Sequence, residues 1–130
     1  MTTLKKEIVN ISTPVTTMVP LSMATRYGNL VFVSGSAALD LATGQALGGD
    51  VRAQTRKTLE NIRTVLETAG SSLDCVLKCG CYLTDISNFT AFNEAYREFF
   101  SHEPPARTTV ETRLANPALL VEIEAIAYIP

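Results

Sequence analysis

Residues 50 to 84 read DVRAQTRKTLENIRTVLETAG followed by SSLDCVLKCGCYLT, and the change of period inside this stretch decides the fold class. In the first part Val51, Thr55, Leu59, Ile62, Leu66 and Ala69 recur at intervals of three or four or their sums, the spacing of one helix face. Asp50 supplies an N-cap and Gly70 the left-handed stop. The opposite face carries Arg52, Arg56, Lys57, Glu60, Arg63 and Glu67, with Arg56/Glu60 and Arg63/Glu67 four apart, which predicts a solvated surface. Over residues 75–84 the period drops to two: Leu77, Cys79, Cys81 and Leu83 alternate with Lys78, Gly80, Tyr82 and Thr84. That is a strand with one apolar side.

Toward the C-terminus, a second helix is predicted from Ser87 or Asn88, either of which can cap it, to Ser101. Phe89, Phe92, Tyr96, Phe99 and Phe100 form its stripe, and Pro104-Pro105 forbids its continuation. Two further strands follow, Arg107–Arg113 and Leu120–Ile129, joined by Ala115-Asn116-Pro117-Ala118. Toward the N-terminus, residues 7–12 and Leu30–Ser34 read as strands, the latter entered through the turn pair Gly28-Asn29. Thr13–Thr25, with Pro14 and Pro20 and no period, reads as a loop. Ala37–Leu41 reads as a third extended piece ending at the turn Thr43-Gly44.

The resulting order, β-β-β-α-β-α-β-β, predicts an α+β fold: one mixed sheet of about six strands covered on one face by both helices. Val31, Val33, Val121, Ile123, Ile126 and Tyr128 occupy both sides of their strands, so the uncovered face is expected to pack on another subunit.

A chain of 130 residues fits one domain. Eleven Lys+Arg against thirteen Asp+Glu give a net charge of -2, and the basic residues are scattered, which argues against a nucleic-acid surface. The longest apolar runs, such as Leu30–Val33 and Ala118–Val121, fall far short of the roughly 20 residues of a membrane span. Lys5, Lys6 and Glu7 stand where a secretory signal places its apolar stretch, so a cytoplasmic location is expected.

Several chemistries lack their residues. Cys75, Cys79 and Cys81 have only His102 as a fourth ligand, at the end of a helix, so buried apolar cysteines are expected rather than a metal site. A Ser-His-Asp or Cys-His arrangement would need that same histidine. No phosphate-binding glycine motif is present. What remains is in the last third. Arg107, Thr109, Glu111 and Arg113 share one face of their strand, and Glu122, Glu124, Ile126 and Tyr128 one face of theirs. Arg107, just after Pro104-Pro105-Ala106, is either a bidentate carboxylate clamp or half of a cross-strand pair with Glu111, Glu122 or Glu124. Asn93 puts an amide at the margin of an aromatic stripe, where it needs a partner.

Six motifs then carry a resemblance: Gly28-Asn29-Leu30-Val31-Phe32-Val33-Ser34-Gly35; Ala53-Gln54-Thr55-Arg56 with Leu59-Glu60-Asn61; Tyr82-Leu83-Thr84-Asp85; Phe92-Asn93-Glu94-Ala95-Tyr96; Pro105-Ala106-Arg107-Thr108; and Val121-Glu122-Ile123-Glu124-Ala125-Ile126-Ala127. Together they resemble the RidA family of reactive-intermediate deaminases, formerly called YjgF, over residues 19 to 128. The resemblance implies a chorismate-mutase-like fold and a homotrimer with ligand clefts between subunits. It also implies hydrolysis of 2-imino and enamine acids, such as 2-aminoacrylate, to 2-keto acids and ammonia with no metal or organic cofactor.

By position, Arg107 resembles the family's carboxylate-binding arginine and Glu122 the glutamate that holds the attacking water. Gly35 resembles the backbone contact beside the ligand and Asn93 the helix residue near the cleft, and Ser34 is expected among the substrate-binding residues. Three positions expected to line the cleft depart from common family residues: Leu21 stands for a tyrosine, Ser36 for a glutamine and Thr109 for a cysteine. The alternatives are a trimer that binds a small molecule without turnover, and an endoribonuclease, which the single histidine and the charge disfavour.

Overall fold

The computed structural model describes residues 4–130. Six strands form one sheet in the order β1-β2-β3-β6-β4-β5: β1 Glu7–Val9, β2 Ala24–Tyr27, β3 Leu30–Ser36, β4 Val76–Leu83, β5 Ala106–Glu111 and β6 Val121–Tyr128. Neighbours run antiparallel except β4 and β5, which are parallel. Two long helices, α2 Val51–Thr68 and α3 Phe89–Phe99, pack on one face, and α1 Val15–Met18 is a single turn. The sheet is therefore mixed, as expected: the α3 crossover lays β5 parallel beside β4, while the α2 crossover brings β4 parallel to β3 with the antiparallel β6 between them.

The long periodic elements lie where their residues predict them. Asp50 caps α2 by accepting from the Ala53 N–H at 2.9 Å, and Gly70 stands just beyond it at φ +86°. Leu59, Ile62, Val65 and Leu66 of α2 and Phe92 of α3 are shut from water against Val31, Cys79, Cys81, Leu83, Val121 and Ile123.

The charged side of α2 departs from expectation. Arg56 pairs with Glu98 of α3 rather than with Glu60, and Arg52 pairs with Glu94. Arg63 lies with its guanidinium carbon 5.2 Å from the Phe99 ring centre. Two helices side by side bring partners from 42 residues away into reach, and such pairs are invisible to spacing rules along one helix.

The N-terminal third needs two corrections. Residues 24 and 25, the end of the expected loop Thr13–Thr25, open the strand β2 Ala24–Tyr27, and residues 37–41, expected as an extended piece, make only an isolated bridge from Leu39 to Ala46. Ala24-Thr25-Arg26-Tyr27 is too short and mixed to show alternation. It becomes a strand because Gly28, at φ +61°, turns the chain in a two-residue loop that sets Arg26 opposite Val31. At the other end of the chain's helical part, Asn88 makes no side-chain cap to α3. Asp85 instead accepts from the Ser87 N–H at 2.9 Å and caps the 3-10 turn Ile86–Asn88 that precedes it.

The second sheet face has no helical cover. Ile8, Tyr27, Leu30, Phe32, Val110 and Tyr128 are all exposed there, each more than a third accessible. One layer of two helices accounts for the odd-numbered positions of β6 and leaves the even-numbered ones to solvent or to a partner.

Candidate functional site

Glu122 enters the site at the start of β6, opposite Tyr82 of β4, on the uncovered face. Its carboxylate lies against the backbone of Gly35. A Cβ built on Gly35 would stand 3.0 Å from Cδ and Oε2 of Glu122, so any other residue there would push the carboxylate aside by a few tenths of an ångström. Gly35 falls where the β3/β6 register shifts between Val33 and Ser36, a bulge that re-aims the local backbone.

The flanking serines hold this bulge. Ser34 donates its hydroxyl to the Ser22 carbonyl at 2.6 Å, and Ser36 donates to the Ser34 carbonyl at 3.0 Å. Ser34, expected as a ligand contact, therefore has a structural partner through its side chain. Burial, and then the neighbouring Glu124 charge, push the Glu122 carboxyl above the ordinary glutamate value of 4.5. Glu124 itself accepts from the Tyr82 hydroxyl at 2.6 Å.

A group whose folded pKa is raised contributes stability below its unfolded pKa and loses that contribution as pH rises through the folded value. Glu122→Gln is thus expected to be more resistant to urea than the natural chain at pH 7.5. The advantage should shrink toward pH 4, where both side chains are neutral. Paired urea titrations at the two pH values check it.

Beside Glu122 opens a cavity of about 270 Å³, lined among others by Leu21, Ser34, Gly35 and Asn61. Leu21, brought there by the chain after α1, is part of its apolar wall.

Arg107 belongs to a different place. It stands opposite Cys79, which stands opposite Ala125, and this row faces the helices. Glu122, opposite Tyr82, faces the other way. Within one chain the two side chains are on opposite faces of the sheet, so a cross-strand Arg107–Glu122 or Arg107–Glu124 pair does not form. Glu111 accepts from the Ile86 N–H at 2.8 Å instead. Among the described residues no carboxylate forms an ion pair with Arg107.

What surrounds Arg107 is aromatic. Its guanidinium carbon lies 4.8 Å from the Tyr96 ring centre, 5.3 Å from Phe92 and 5.7 Å from Phe89. Stacked cation–π contacts of this kind hold the fork in place without neutralising it. A crevice of about 300 Å³ opens between Asn93, Tyr96, Arg97, Phe100, Pro104, Pro105 and Arg107.

Three buried polar atoms in the same neighbourhood have no hydrogen-bond partner: Asn93 Oδ1, Tyr96 Oη and Thr109 Oγ1. Cys79 and Cys81 adjoin Tyr96 and Thr109, but outside hydrogen-bonding geometry for those hydroxyls. Unsatisfied buried groups are rare; of the three, Asn93 and Tyr96 border the crevice beside the free guanidinium, whereas Thr109, two positions along β5, lies against the Cys81 thiol. Asn93 and Thr109 were legible as candidates. Tyr96 was not, because an aromatic within an apolar stripe hides its hydroxyl.

The cysteines are buried and free. Burial pushes the Cys81 thiol up to about 12 and lifts Cys79 as well, which keeps both protonated at neutral pH. Among the described residues no group of three or more His, Cys, Asp or Glu is placed to hold a metal ion. A disulfide-exchange reagent at pH 8 is expected to label none of the three cysteines in the folded protein and all three in denaturant. Rapid labelling of the native chain would contradict the packing described here.

Comparison with known proteins gives one answer. The family model described as "Endoribonuclease L-PSP" matches residues 11–129. A RutC family protein of Pyrococcus horikoshii is 45% identical over 109 residues, covering 84% of this chain and 86% of the relative. Among solved structures, a member of the highly conserved YjgF/YER057c/UK114 family from Mycobacterium tuberculosis superposes with a TM-score of 0.84 at 35% identity, covering 96% of this chain and 100% of that one. RidA from the Antarctic bacterium Psychrobacter sp. PAMC 21119 gives a TM-score of 0.80 at 37% identity, over 85% and 89% of the two chains. The sheet order, the two helices and these matches agree: the chain belongs to the RidA/YjgF family, whose sequence model carries the L-PSP description.

Proposed function

We propose that the protein hydrolyses 2-imino acids and their enamine tautomers to 2-keto acids and ammonia, with Arg107 holding the substrate carboxylate and Glu122 the attacking water. The observation that carries this is the free guanidinium of Arg107, fixed over three rings and open to a crevice that Asn93 borders. A planar fork without a protein carboxylate is suited to a carboxylate from outside.

Because Arg107 and Glu122 face opposite sides of one sheet, they act on one substrate only if two copies of the chain supply them. The exposed apolar residues of the uncovered face give the second copy a place to pack, in a homotrimer with clefts between subunits.

The chemistry then asks little of the protein. A protonated imine is already electrophilic at its carbon. Water adds there, forming a C–O bond while Glu122 accepts a proton from it; the resulting aminoalcohol expels its nitrogen as the C–N bond breaks. Glu122 returns its proton to the departing nitrogen, the hydroxyl O–H gives up its proton to the released ammonia as the C=O bond forms, and a carbonyl and ammonium are left. Atoms and charge balance: the zwitterionic imine and one water give a keto carboxylate and ammonium. Raising the Glu122 pKa above its ordinary value makes it a better acceptor for that proton. Positioning supplies the rest. Asn93 completes the polar wall of the crevice, and Gly35 lets the Glu122 carboxylate lie close against the β3 backbone.

Phosphodiester cleavage, which the L-PSP description names, calls for paired acid and base groups and phosphate contacts. The chain's single histidine, His102, has a side chain 90% exposed and stands on the loop after α3. The deciding assay generates 2-aminoacrylate or another imino acid in situ, adds the protein and follows keto-acid release. No acceleration over buffer at micromolar protein would overturn the proposal.

A further inference from the structure

The cavity beside Glu122 has a chemistry of its own. Val15, Val19, Leu21, Met23, Leu41 and Leu119 form its wall, and Glu122 is its one charged group. The amide nitrogen of Asn61, which also borders it, is already engaged: it donates to the Ala37 carbonyl at 3.0 Å and the Leu39 carbonyl at 2.9 Å. No lysine, arginine or histidine lines it. A second carboxylate entering this space would meet Glu122 at close range and find no cation. The Ser34 and Ser36 hydroxyls donate to the Ser22 and Ser34 carbonyls, and Asn116 stands at the exposed rim, so a polar side chain that goes deep loses its water without gaining a donor.

Size points the same way. The cavity holds about 270 Å³, whereas a cavity of about 150 Å³ already accepts benzene. A methyl group, the side chain of the smallest imino acid with a carbon substituent, leaves most of that volume unfilled, and an unfilled apolar cavity forfeits contacts along its whole wall.

Resting on the imino-acid hydrolase reading above, we infer that this cavity receives the substrate side chain and selects imino acids with large uncharged apolar side chains, such as that derived from leucine. The imine carbon then sits at the Glu122 end of the cavity, where water is held, and the side chain lies along Leu21 and Leu119. Leu21 is 38% exposed and stands at the mouth, so a change there alters the pocket while leaving the buried core alone.

The test compares imines made in situ by amino-acid oxidases from alanine, leucine and aspartate. The kcat/KM for the leucine-derived imine is expected to exceed that for the alanine-derived imine by roughly tenfold or more, on the scale set by added methylenes in apolar pockets. The aspartate-derived imine should be the poorest of the three. Leu21→Trp, which fills the mouth, should collapse the leucine-to-alanine ratio toward one. Equal or better hydrolysis of the alanine-derived imine, or a preference for the aspartate-derived one, would overturn the inference while leaving the hydrolase proposal standing.

A binding measurement separates the two ideas. Calorimetry with the keto acids themselves should give 4-methyl-2-oxopentanoate an affinity about tenfold tighter than pyruvate, whether or not the protein turns imines over. Absence of turnover together with that preference would remove the hydrolase and keep the pocket. Absence of the preference in binding would remove the pocket.

Discussion

Arg107→Ala lowers kcat/KM for imino-acid hydrolysis roughly tenfold to a hundredfold, the loss that follows from removing a charge-assisted bidentate contact worth about 1.5 to 3 kcal/mol. The size of the effect rests on where the guanidinium stands. It has no carboxylate partner in the chain, it is flanked by Phe89, Phe92 and Tyr96, and a crevice opens beside it. Losing the stacked contacts also lowers the melting temperature, because each exposed or half-buried cation–π contact is worth about 0.5 to 1 kcal/mol.

Stability alone therefore does not identify the role. Arg107→Lys does: an ammonium keeps the charge and part of the stacking but cannot form two parallel bonds, so it should recover stability more fully than kcat/KM. A folded Arg107→Ala protein with the natural kcat/KM would remove Arg107 from substrate binding. If it acts only as a packing cation, both substitutions change melting temperature and leave hydrolysis per folded protein unaltered.

The second large effect is a recovery. Glu122→Gln keeps the shape of the side chain and removes its basicity, and is expected to cost roughly a hundredfold in kcat, the scale of general-base assistance. Refolding Arg107→Ala and Glu122→Gln chains together from an equal mixture should nevertheless restore activity to about a quarter of the natural level, since random assembly places an intact Arg107 opposite an intact Glu122 in that share of clefts. Each variant refolded alone keeps only its own residual activity, roughly a tenth to a hundredth of the natural level.

The physical basis is the register of the sheet. Arg107 shares a row with Cys79 and Ala125 on the helix face, and Glu122 shares one with Tyr82 on the other. A site contained in one chain predicts no recovery at all, because every chain in the mixture then lacks one of its two groups. The same mixture examined by native mass spectrometry shows whether chains exchange and in what number they associate. A monomer at micromolar concentration would leave the two faces unconnected and overturn the shared cleft.

How far the residues alone reach depends on how local the interaction is. The 3.6 period of residues 51–69 and the alternation of 75–84 are written in neighbours a few positions apart, and α2 and β4 lie where they predict, with the Asp50 cap and the Gly70 stop in place. The two-sided apolar pattern of β3 and β6 likewise announced a sheet with one face left open. β2 was not legible. Four residues of mixed character carry no period, and they form a strand only because the Gly28 turn lays them against β3.

The candidate residues divide in the same way. Arg107, Glu122, Asn93, Gly35, Leu21 and Thr109 were nameable from the chain by type, position and resemblance. Their arrangement was not. Which face a strand presents depends on its register against neighbours such as Cys79 opposite Arg107 and Tyr82 opposite Glu122, 28 and 40 residues away, and it is this register that sets Arg107 and Glu122 apart, leaves the guanidinium unpaired and brings Tyr96 to it. The apolar cavity beside Glu122 also draws on segments from Val15 to Glu122 that nothing in local sequence connects. The chain by itself determined its elements and the kinds of group available for chemistry, because helix and strand periods are local. Tertiary structure alone decided which of those groups face a common ligand, because pairing across the sheet is not.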